Sequence, residues 1–164
     1  MNVAIPTLSF EVVLLRLSVA TLIGCIIGLN REWYGKPAGM RTHGLVSLGA
    51  ALITLASLDL ARADPAAVLR TIQGIMAGIG FLGGGVILRD DSTHSVHGLT
   101  TAASVWVVAA LGIACGAGQW AISLSAVALT LILLILGEKL EQKLRLKACP
   151  PTESRSSRGQ APLV

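Results

Sequence analysis

Three groups of residues have types and spacings that carry chemistry in other proteins. Gly78, Gly80 and Gly83 match G-x-G-x-x-G, the pattern of a turn that binds the pyrophosphate of a dinucleotide. Asp90 and Asp91 form an acidic pair, and one or two carboxylates are enough to hold a hydrated Mg²⁺. The third group consists of two polar clusters at predicted helix ends. The clusters contain Asn30, Arg31, Glu32, Arg41 and His43 on one turn and Arg89, Asp90, Asp91, His94 and His97 on another.

The dinucleotide pattern lacks the structural context that it needs. Such a turn follows a strand, opens a helix and is followed about 20 positions later by an acidic residue. Here the preceding residues are RTIQGIMA, and the window at residues 98–103 reads GLTTAA, without an acid. We interpret the match as coincidental and expect no cofactor. No Ser/His/Asp or Cys/His arrangement indicates nucleophilic catalysis, so an enzyme is not expected.

The elements that position these residues follow from composition. The chain has 164 residues, of which 53% are hydrophobic and only 13% are charged, whereas a soluble domain carries about 25% charged residues. Apolar runs extend over residues 8–29, 44–60, 71–88, 99–117 and 120–137. Each run has the roughly 17 to 25 residues that cross a bilayer, where the backbone must be helical because lipid offers it no hydrogen-bond partners. The sequence predicts an all-α membrane protein, a polytopic bundle of about five transmembrane helices.

The charges predict an orientation and a tail. A membrane domain is expected over residues 1–137, followed by a basic amphipathic extension and a disordered cytoplasmic tail over residues 138–164. Arg62 and Arg70 fall on one side of the predicted membrane. Ten basic residues fall on the other: Arg31, Lys36, Arg41, Arg89, Lys139, Lys143, Arg145, Lys147, Arg155 and Arg158. This asymmetry predicts a periplasmic N-terminus and a cytoplasmic C-terminus, with the basic extension lying on anionic lipid or docking on a partner.

Glycines give the third run two small-residue surfaces when it is drawn as a helix. One surface carries Gly74, Gly78 and Gly85, and the other carries Gly80, Gly83 and Gly84. Spacings of the G-x-x-x-G type let transmembrane helices pack closely. We therefore predict that these residues serve in helix packing or partner docking, and that the third helix is the centre of the bundle with a neighbour on each face. The bulky LTLILLIL of the fifth run is typical of a lipid-facing helix.

The stretches GCIIGLNREW, AGMRTHGLVSLGAA, GIGFLGGGVILRDD and VHGLTTAASVWVVAALGIACGAGQW follow one another in an order and spacing that resemble the MgtC/SapB family of bacterial inner-membrane proteins. The resemblance implies an inner-membrane bundle. It also implies links to growth under magnesium limitation and to survival inside phagocytes, with restraint of the rotary ATP synthase as the best-supported action of the MgtC branch. We expect a short member, without the soluble C-terminal domain of the longer ones.

Family motifs fall on identifiable positions of this chain. The resemblance implies roles for the polar residues Arg31, Glu32, Arg41, Thr42, His43, Arg89, Asp90, His97, Thr100 and Thr101, and for the glycines of G-F-L-G-x-G at Gly80, Gly83 and Gly85. The chain departs from the MgtC pattern at Asn30, His97, Thr100 and Val107. These departures favour a generic SapB-type member.

Arg41 and Arg89 are the favoured polar-site residues, because each abuts an apolar helix and reaches towards a carboxylate such as Glu32, Asp90 or Asp91. The alternative is that they anchor helix ends at the lipid headgroups. Few polar residues lie within the predicted spans, which opposes a high-capacity cation transporter.

Three functional hypotheses stay open. The first is a non-enzymatic protein that restrains the membrane sector of the ATP synthase by helix-to-helix association. The second is transport of Mg²⁺ or another cation through the bundle or a homo-oligomer, with Asp90 and Asp91 at the mouth. The third is a structural or lipid-organising protein. All three place the chain in a lipid bilayer, and none involves nucleic acid.

Overall fold

A computed structural model describes residues 8–61, 64–90 and 95–148 of the chain. The helices are α1 (Phe10–Trp33), α2 (Met40–Leu60), α3 (Pro65–Gly85), α4 (Leu99–Gly116) and α5 (Trp120–Ala148). Between α3 and α4 lies a short antiparallel hairpin, in which β1 (Leu88–Asp90) pairs with β2 (Ser95–His97) and Leu88 lies opposite His97. All five helices are long and apolar enough to span a membrane. The predicted five-helix membrane protein is confirmed, and the hairpin is an addition that the sequence did not predict.

Local sequence explains where α3 and α4 begin. The Asp64 side chain accepts a hydrogen bond from the Ala66 N–H at 3.0 Å, and Pro65 occupies the first turn, where its missing N–H costs nothing. Before α4, Gly98 adopts a left-handed conformation with φ +90°. A side chain there would also collide with the carbonyl oxygen of Val86. Gly98 therefore lets the chain turn from β2 directly into α4.

The core of the bundle lies between α1, α2 and α4. Its buried apolar residues include Ala20, Ile23 and Ile27 of α1, Ala50, Ala51 and Leu55 of α2, and Val105, Val108 and Leu111 of α4. Glycines bring these helices close together. A Cβ on Gly24 would lie 2.5 Å from the His43 carbonyl oxygen, and one on Gly116 would lie 2.7 Å from that of Ala51. Van der Waals contact between backbones is what holds helices together in lipid, where apolar burial supplies little.

The prediction that the third helix is the centre of the bundle is wrong. Only Ile79 and Gly83 of α3 are buried, compared with nine residues of α4. Helix α3 packs mainly against α4 and less extensively against α2, through Ile79 and Gly83. The glycines that bring helices into close contact belong to α1, α2 and α4 instead, so α3 lies at the periphery of the described bundle.

The chain divides within α5 into two compact units, one ending at Leu129 and the other beginning at Thr130. In the first unit, Ile122, Leu124 and Leu129 are exposed; in the second, Ile132, Leu133 and Leu136 are exposed. Exposed aliphatic side chains along both parts of α5 match the predicted lipid-facing helix.

Candidate functional site

Buried polar side chains meet where α1 ends and where α2 and α4 begin. We call this cluster the polar junction; its members are Arg31, His43, Thr101 and Ser104. Arg31 and His43 are 0% exposed, Thr101 is 1% exposed and Ser104 is 4% exposed. Burying a guanidinium and an imidazole among apolar helices is costly unless their polar atoms find partners. The hydrogen bonds of the polar junction therefore decide whether the three helices can pack in this way.

Two contacts of the polar junction join one helix to another, and a third fixes the start of α2. The Arg31 Nη2 donates to Thr101 Oγ1 at 3.3 Å, which joins α1 to α4. The His43 Nε2 lies 3.0 Å from Ser104 Oγ, which joins α2 to α4. The other ring nitrogen, Nδ1, lies 3.0 Å from the carbonyl oxygen of Gly39. The junction is thus a polar connection between three apolar helices.

Chemistry assigns most of the hydrogens in this network. A carbonyl oxygen can only accept, so His43 Nδ1 carries a hydrogen and donates it to Gly39. The Ser104 hydroxyl has one hydrogen and two neighbouring acceptors, Nε2 of neutral His43 and the carbonyl oxygen of Thr101 at 2.8 Å. When Nε2 is unprotonated, Ser104 donates to the ring; when it is protonated, the ring donates to Ser104, which donates to Thr101. The orientation of one hydroxyl therefore reports the protonation of His43.

Small residues make room for the polar junction. A Cβ on Gly28 would lie 2.7 Å from the Gly39 carbonyl oxygen and 2.9 Å from the His43 Cβ. The absence of a side chain at Gly28 thus lets the start of α2 lie against the last turns of α1. Arg31 sits in the last turn of α1, where the negative end of the helix dipole favours a cation. One turn beyond His43, the Ser47 hydroxyl is buried with no hydrogen-bond partner in the described structure.

The structure brings together three of the predicted polar residues, namely Arg31, His43 and Thr101. The remaining described ones, Glu32, Arg41, Thr42, His97 and Thr100, are exposed. Glu32 accepts a hydrogen bond from the Met40 N–H at 3.0 Å, whereas Arg41 makes no ion pair with any described residue. Arg89 and Asp90 belong to β1, but their side chains, together with all of Asp91 and His94, lie outside the described residues.

Sequence reasoning did not single out Ser104 as a site residue. Its signal is the spacing of three from Thr101, which places both on one face of α4. Reasoning on the acidic pair pointed instead to Mg²⁺. Among the described residues no group of three or more His, Cys, Asp or Glu is arranged to hold a metal ion, and the acidic pair itself falls outside that search.

A second polar contact, which is partly buried, lies at the opposite end of α4. Arg16 Nη1 donates to the carbonyl oxygen of Gly116 at 2.8 Å. The carbonyls before it are taken by the chain itself: Ile113 accepts from Ala117, Ala114 from Gln119 and Cys115 from Gly118. Arg16 therefore satisfies the last carbonyl of α4 that the turn into α5 leaves open, where a cation also complements the helix dipole.

Comparison with known sequences shows which family has this architecture. The sequence model of the MgtC family matches residues 17–143, a range that includes the polar junction, all of α2, α3 and α4, and most of α1 and α5. The chain belongs to the MgtC family. The predicted resemblance is thereby confirmed, and a multi-pass membrane protein in a lipid bilayer is what this family and the five spanning helices show.

Curated relatives of this MgtC-family chain come from several bacteria. Protein SrpB of Synechococcus elongatus is 42% identical over 137 residues, covering 77% of this chain and 75% of SrpB. Protein MgtC of Salmonella typhimurium is 40% identical over 131 residues, covering 80% of this chain but 54% of MgtC. Protein SapB of Bacillus subtilis is 42% identical over 115 residues, covering 65% of this chain and 48% of SapB. The chain thus spans about half the length of the latter two relatives. No solved structure matches it.

Most of the glycines predicted for packing are open in this MgtC-family chain. A Cβ on Gly83 would make an ordinary contact of 3.7 Å with the Ala102 side chain of α4. No atom of the described structure lies within 4 Å of a Cβ built on any of the others, Gly74, Gly78, Gly80, Gly84 and Gly85. Gly74, Gly78 and Gly85 belong to one small-residue surface of α3 and Gly80 and Gly84 to the other; we call the five together the open glycine face of α3. They leave room for another helix to approach α3 closely.

Proposed function

We propose that the chain regulates another membrane complex by helix-to-helix association, and that the partner is the membrane sector of the rotary ATP synthase. The open glycine face of α3 carries this proposal. In lipid, helices associate through close van der Waals packing, which small residues allow. A helix with five glycines that approach nothing in their own bundle has the surface that such association needs.

The rest of the bundle suits a rigid platform for that surface. The polar junction and the close contacts of Gly24, Gly28 and Gly116 hold α1, α2 and α4 together. Because α3 packs on α4 through Gly83 and Ile79, its outward face is held at a fixed angle to the core. Docking of a rigid helix against the rotating or proton-conducting part of a membrane motor would slow both proton flow and ATP turnover.

The identity of the partner rests on the family. The restraint of ATP synthase that the family resemblance implies is proposed for this chain, which covers 54% of the Salmonella MgtC protein. We also propose the orientation given by the basic residues, with a periplasmic N-terminus and a cytoplasmic C-terminus in the bacterial inner membrane. The alternative of cation transport rests on Asp90 and Asp91 and stays a sequence-based hypothesis.

Co-purification tests the docking surface directly. The tagged chain is expressed in bacteria, extracted in mild detergent and assayed for bound ATP synthase subunits. Gly78→Leu and Gly84→Leu place bulky side chains on the open glycine face, so each should abolish binding while the protein still inserts. Gly137→Leu is the matched control, because Gly137 is equally open but belongs to α5. Binding by both α3 variants at the level of Gly137→Leu would refute the packing mechanism.

A further inference from the structure

A polar cavity of about 440 Å³ lies between the end of α1 and the start of α2. We call it the basic cavity. It is lined by Glu32, Lys36, Pro37, Gly39, Met40, Arg41 and Thr42. Lys36 and Arg41 contribute two positive charges and Glu32 one negative charge, so the lining carries a net charge of +1. None of these residues belongs to the polar junction, and the proposed docking surface does not include them.

Two of the backbone donors at the start of α2 lack acceptors. Gly39, the N-cap residue of α2, has no side chain that could cap the helix. The Met40 N–H donates to Glu32 and the His43 N–H to the Gly39 carbonyl. The N–H groups of Arg41 and Thr42 have no acceptor among the described residues. Two free N–H groups at the positive end of a helix dipole attract an anion.

The side chain of Arg41 adds a second donor set to the same place. It is exposed, and its planar fork of N–H groups matches the geometry of a phosphate. The hydroxyl of Thr42, also exposed, can donate to the same group. Glu32 opposes an anion, but its carboxylate is held at 3.0 Å by the Met40 N–H. The cavity therefore presents donors and positive charge to a phosphate at the mouth of a membrane span.

An apolar groove of about 680 Å³ continues along the same face of α2. Leu45 and Val46 lie four residues after Arg41 and Thr42, which is one helical turn deeper. The α2 wall of the groove extends from Leu45 to Ile53, or about 12 Å along the helix axis. Gly49 lies in the middle of this wall, and no described atom lies within 4 Å of a Cβ built on it. The opposite wall is α3, from Thr71 to Leu82.

We propose that the basic cavity and this groove together bind one anionic phospholipid. Its phosphate lies against Arg41, Lys36 and the free N–H groups of α2, and one acyl chain lies in the groove between α2 and α3. Charge complementarity identifies the occupant: a cationic, donor-rich cavity lies at the end of a membrane span, one helical turn before an apolar groove on the same helix, as the two ends of such a lipid require. Gly74 and Gly78 line the groove, whereas Gly80, Gly84 and Gly85 do not. The lipid would therefore cover two glycines of the open glycine face and leave the other three open to the proposed partner.

Titration of the purified full chain in neutral detergent tests the site, with the unfolding temperature as readout, since a ligand that binds the native state raises it. The probes are dioleoyl phosphatidylglycerol, dioleoyl phosphatidylcholine and inorganic phosphate. Arg41→Gln removes the phosphate contact, and Gly49→Leu fills the groove. Arg70→Gln is the matched control, because it removes one exposed positive charge that does not line the cavity and that pairs with exposed Asp64.

We expect a saturable rise in unfolding temperature with phosphatidylglycerol and little with the other two probes. The apparent affinity should fall about tenfold in Arg41→Gln, as the loss of a charge-assisted contact predicts, and by a similar factor in Gly49→Leu. Arg70→Gln should bind as the unmodified chain does. Four results would each overturn the proposal: an equal response to phosphatidylcholine, the full response with inorganic phosphate alone, equal affinities of Arg41→Gln and Arg70→Gln, or unchanged affinity in Gly49→Leu.

Discussion

The guanidinium of Arg31 donates a hydrogen bond of 3.3 Å to the hydroxyl of Thr101, which lies 70 positions later in the chain. This contact joins the last turn of α1 to the first turn of α4, and both residues are excluded from solvent. Because α3 packs on α4, the contact also supports the helix that presents the open glycine face. A hydrogen bond in the core thus contributes to the placement of the proposed docking surface at the periphery.

Replacing Thr101 with valine should destabilise the protein, whereas the same change at Thr100 should not. Thr101→Val removes one hydrogen-bond acceptor of a buried guanidinium, which costs about 1 to 3 kcal/mol. Thr100 is the neighbouring residue but is exposed, so Thr100→Val should change the free energy of unfolding by no more than about 0.5 kcal/mol. Reversible unfolding in mixed detergent micelles measures both. Equal stabilities of the two variants would show that the Arg31 contact carries no net stabilisation.

His43 and Ser104 should be energetically coupled. Their side chains lie 3.0 Å apart and both are buried, so a double-mutant cycle of His43→Ala and Ser104→Ala should give an interaction free energy of about 0.5 to 1.5 kcal/mol. A control cycle pairs His43→Ala with Ser125→Ala, because Ser125 is exposed and its described hydrogen bonds stay within its own helix. The control cycle with Ser125 should be additive. If the cycle with Ser104 were additive as well, His43 and Ser104 would not interact.

Gly28→Ala and Gly80→Ala should have opposite effects on stability. A Cβ at Gly28 would lie 2.7 Å from backbone atoms of Gly39 and Met40, so α1 and the start of α2 must separate, at a cost of about 1 to 3 kcal/mol. At Gly80 a Cβ meets nothing, and alanine should stabilise the helix by up to about 1 kcal/mol. Thermal unfolding of the two variants in the same detergent compares them. A tolerated Gly28→Ala would contradict the close contact of α1 with α2.

Arg16→Gln should destabilise the protein by removing a contact at the C-terminal end of α4. The change removes the cation that donates to Gly116 at 2.8 Å, and the loss of this contact and of its favourable interaction with the helix dipole is expected to cost about 1 to 2 kcal/mol. Arg70→Gln removes an arginine whose ion pair with Asp64 is more than half exposed, and such pairs contribute little. If the free energy of unfolding were unchanged in Arg16→Gln, water would satisfy the Gly116 carbonyl equally well.

The helices follow from the sequence because lipid leaves an apolar run few alternatives. Which helix lies at the centre does not follow, because Gly24/Gly28 and Gly74/Gly78 have the same spacing and differ only in what lies opposite them. The first pair faces the backbone of α2 at the distance of contact, and the second faces open space. Spacing shows that a helix can be approached, and only the tertiary structure shows which helix approaches it.

The choice between Arg31 and Arg41 illustrates the same limit at the site. Both abut apolar helices, and sequence reasoning favoured Arg41. A periodic signal was nevertheless present: Arg31 follows Ala20, Gly24 and Ile27 at spacings of four, three and four, which is one helix face. That face is buried, so Arg31 at its end lies in the core. Arg41 lies on the exposed face of α2, where it lines the basic cavity.

The most direct test of the proposed function is ATP-driven proton pumping in inverted bacterial membrane vesicles. Vesicles that contain the unmodified chain, Gly84→Leu or Gly137→Leu are compared with vesicles that contain none of them. ATP hydrolysis is measured in the same samples. Docking through the open glycine face predicts that the chain and Gly137→Leu lower both activities, whereas Gly84→Leu, inserted at the same level, leaves both at the value of the empty vesicles. Pumping that is unaffected by the unmodified chain would contradict restraint of the ATP synthase, and equal inhibition by Gly84→Leu would contradict docking through α3.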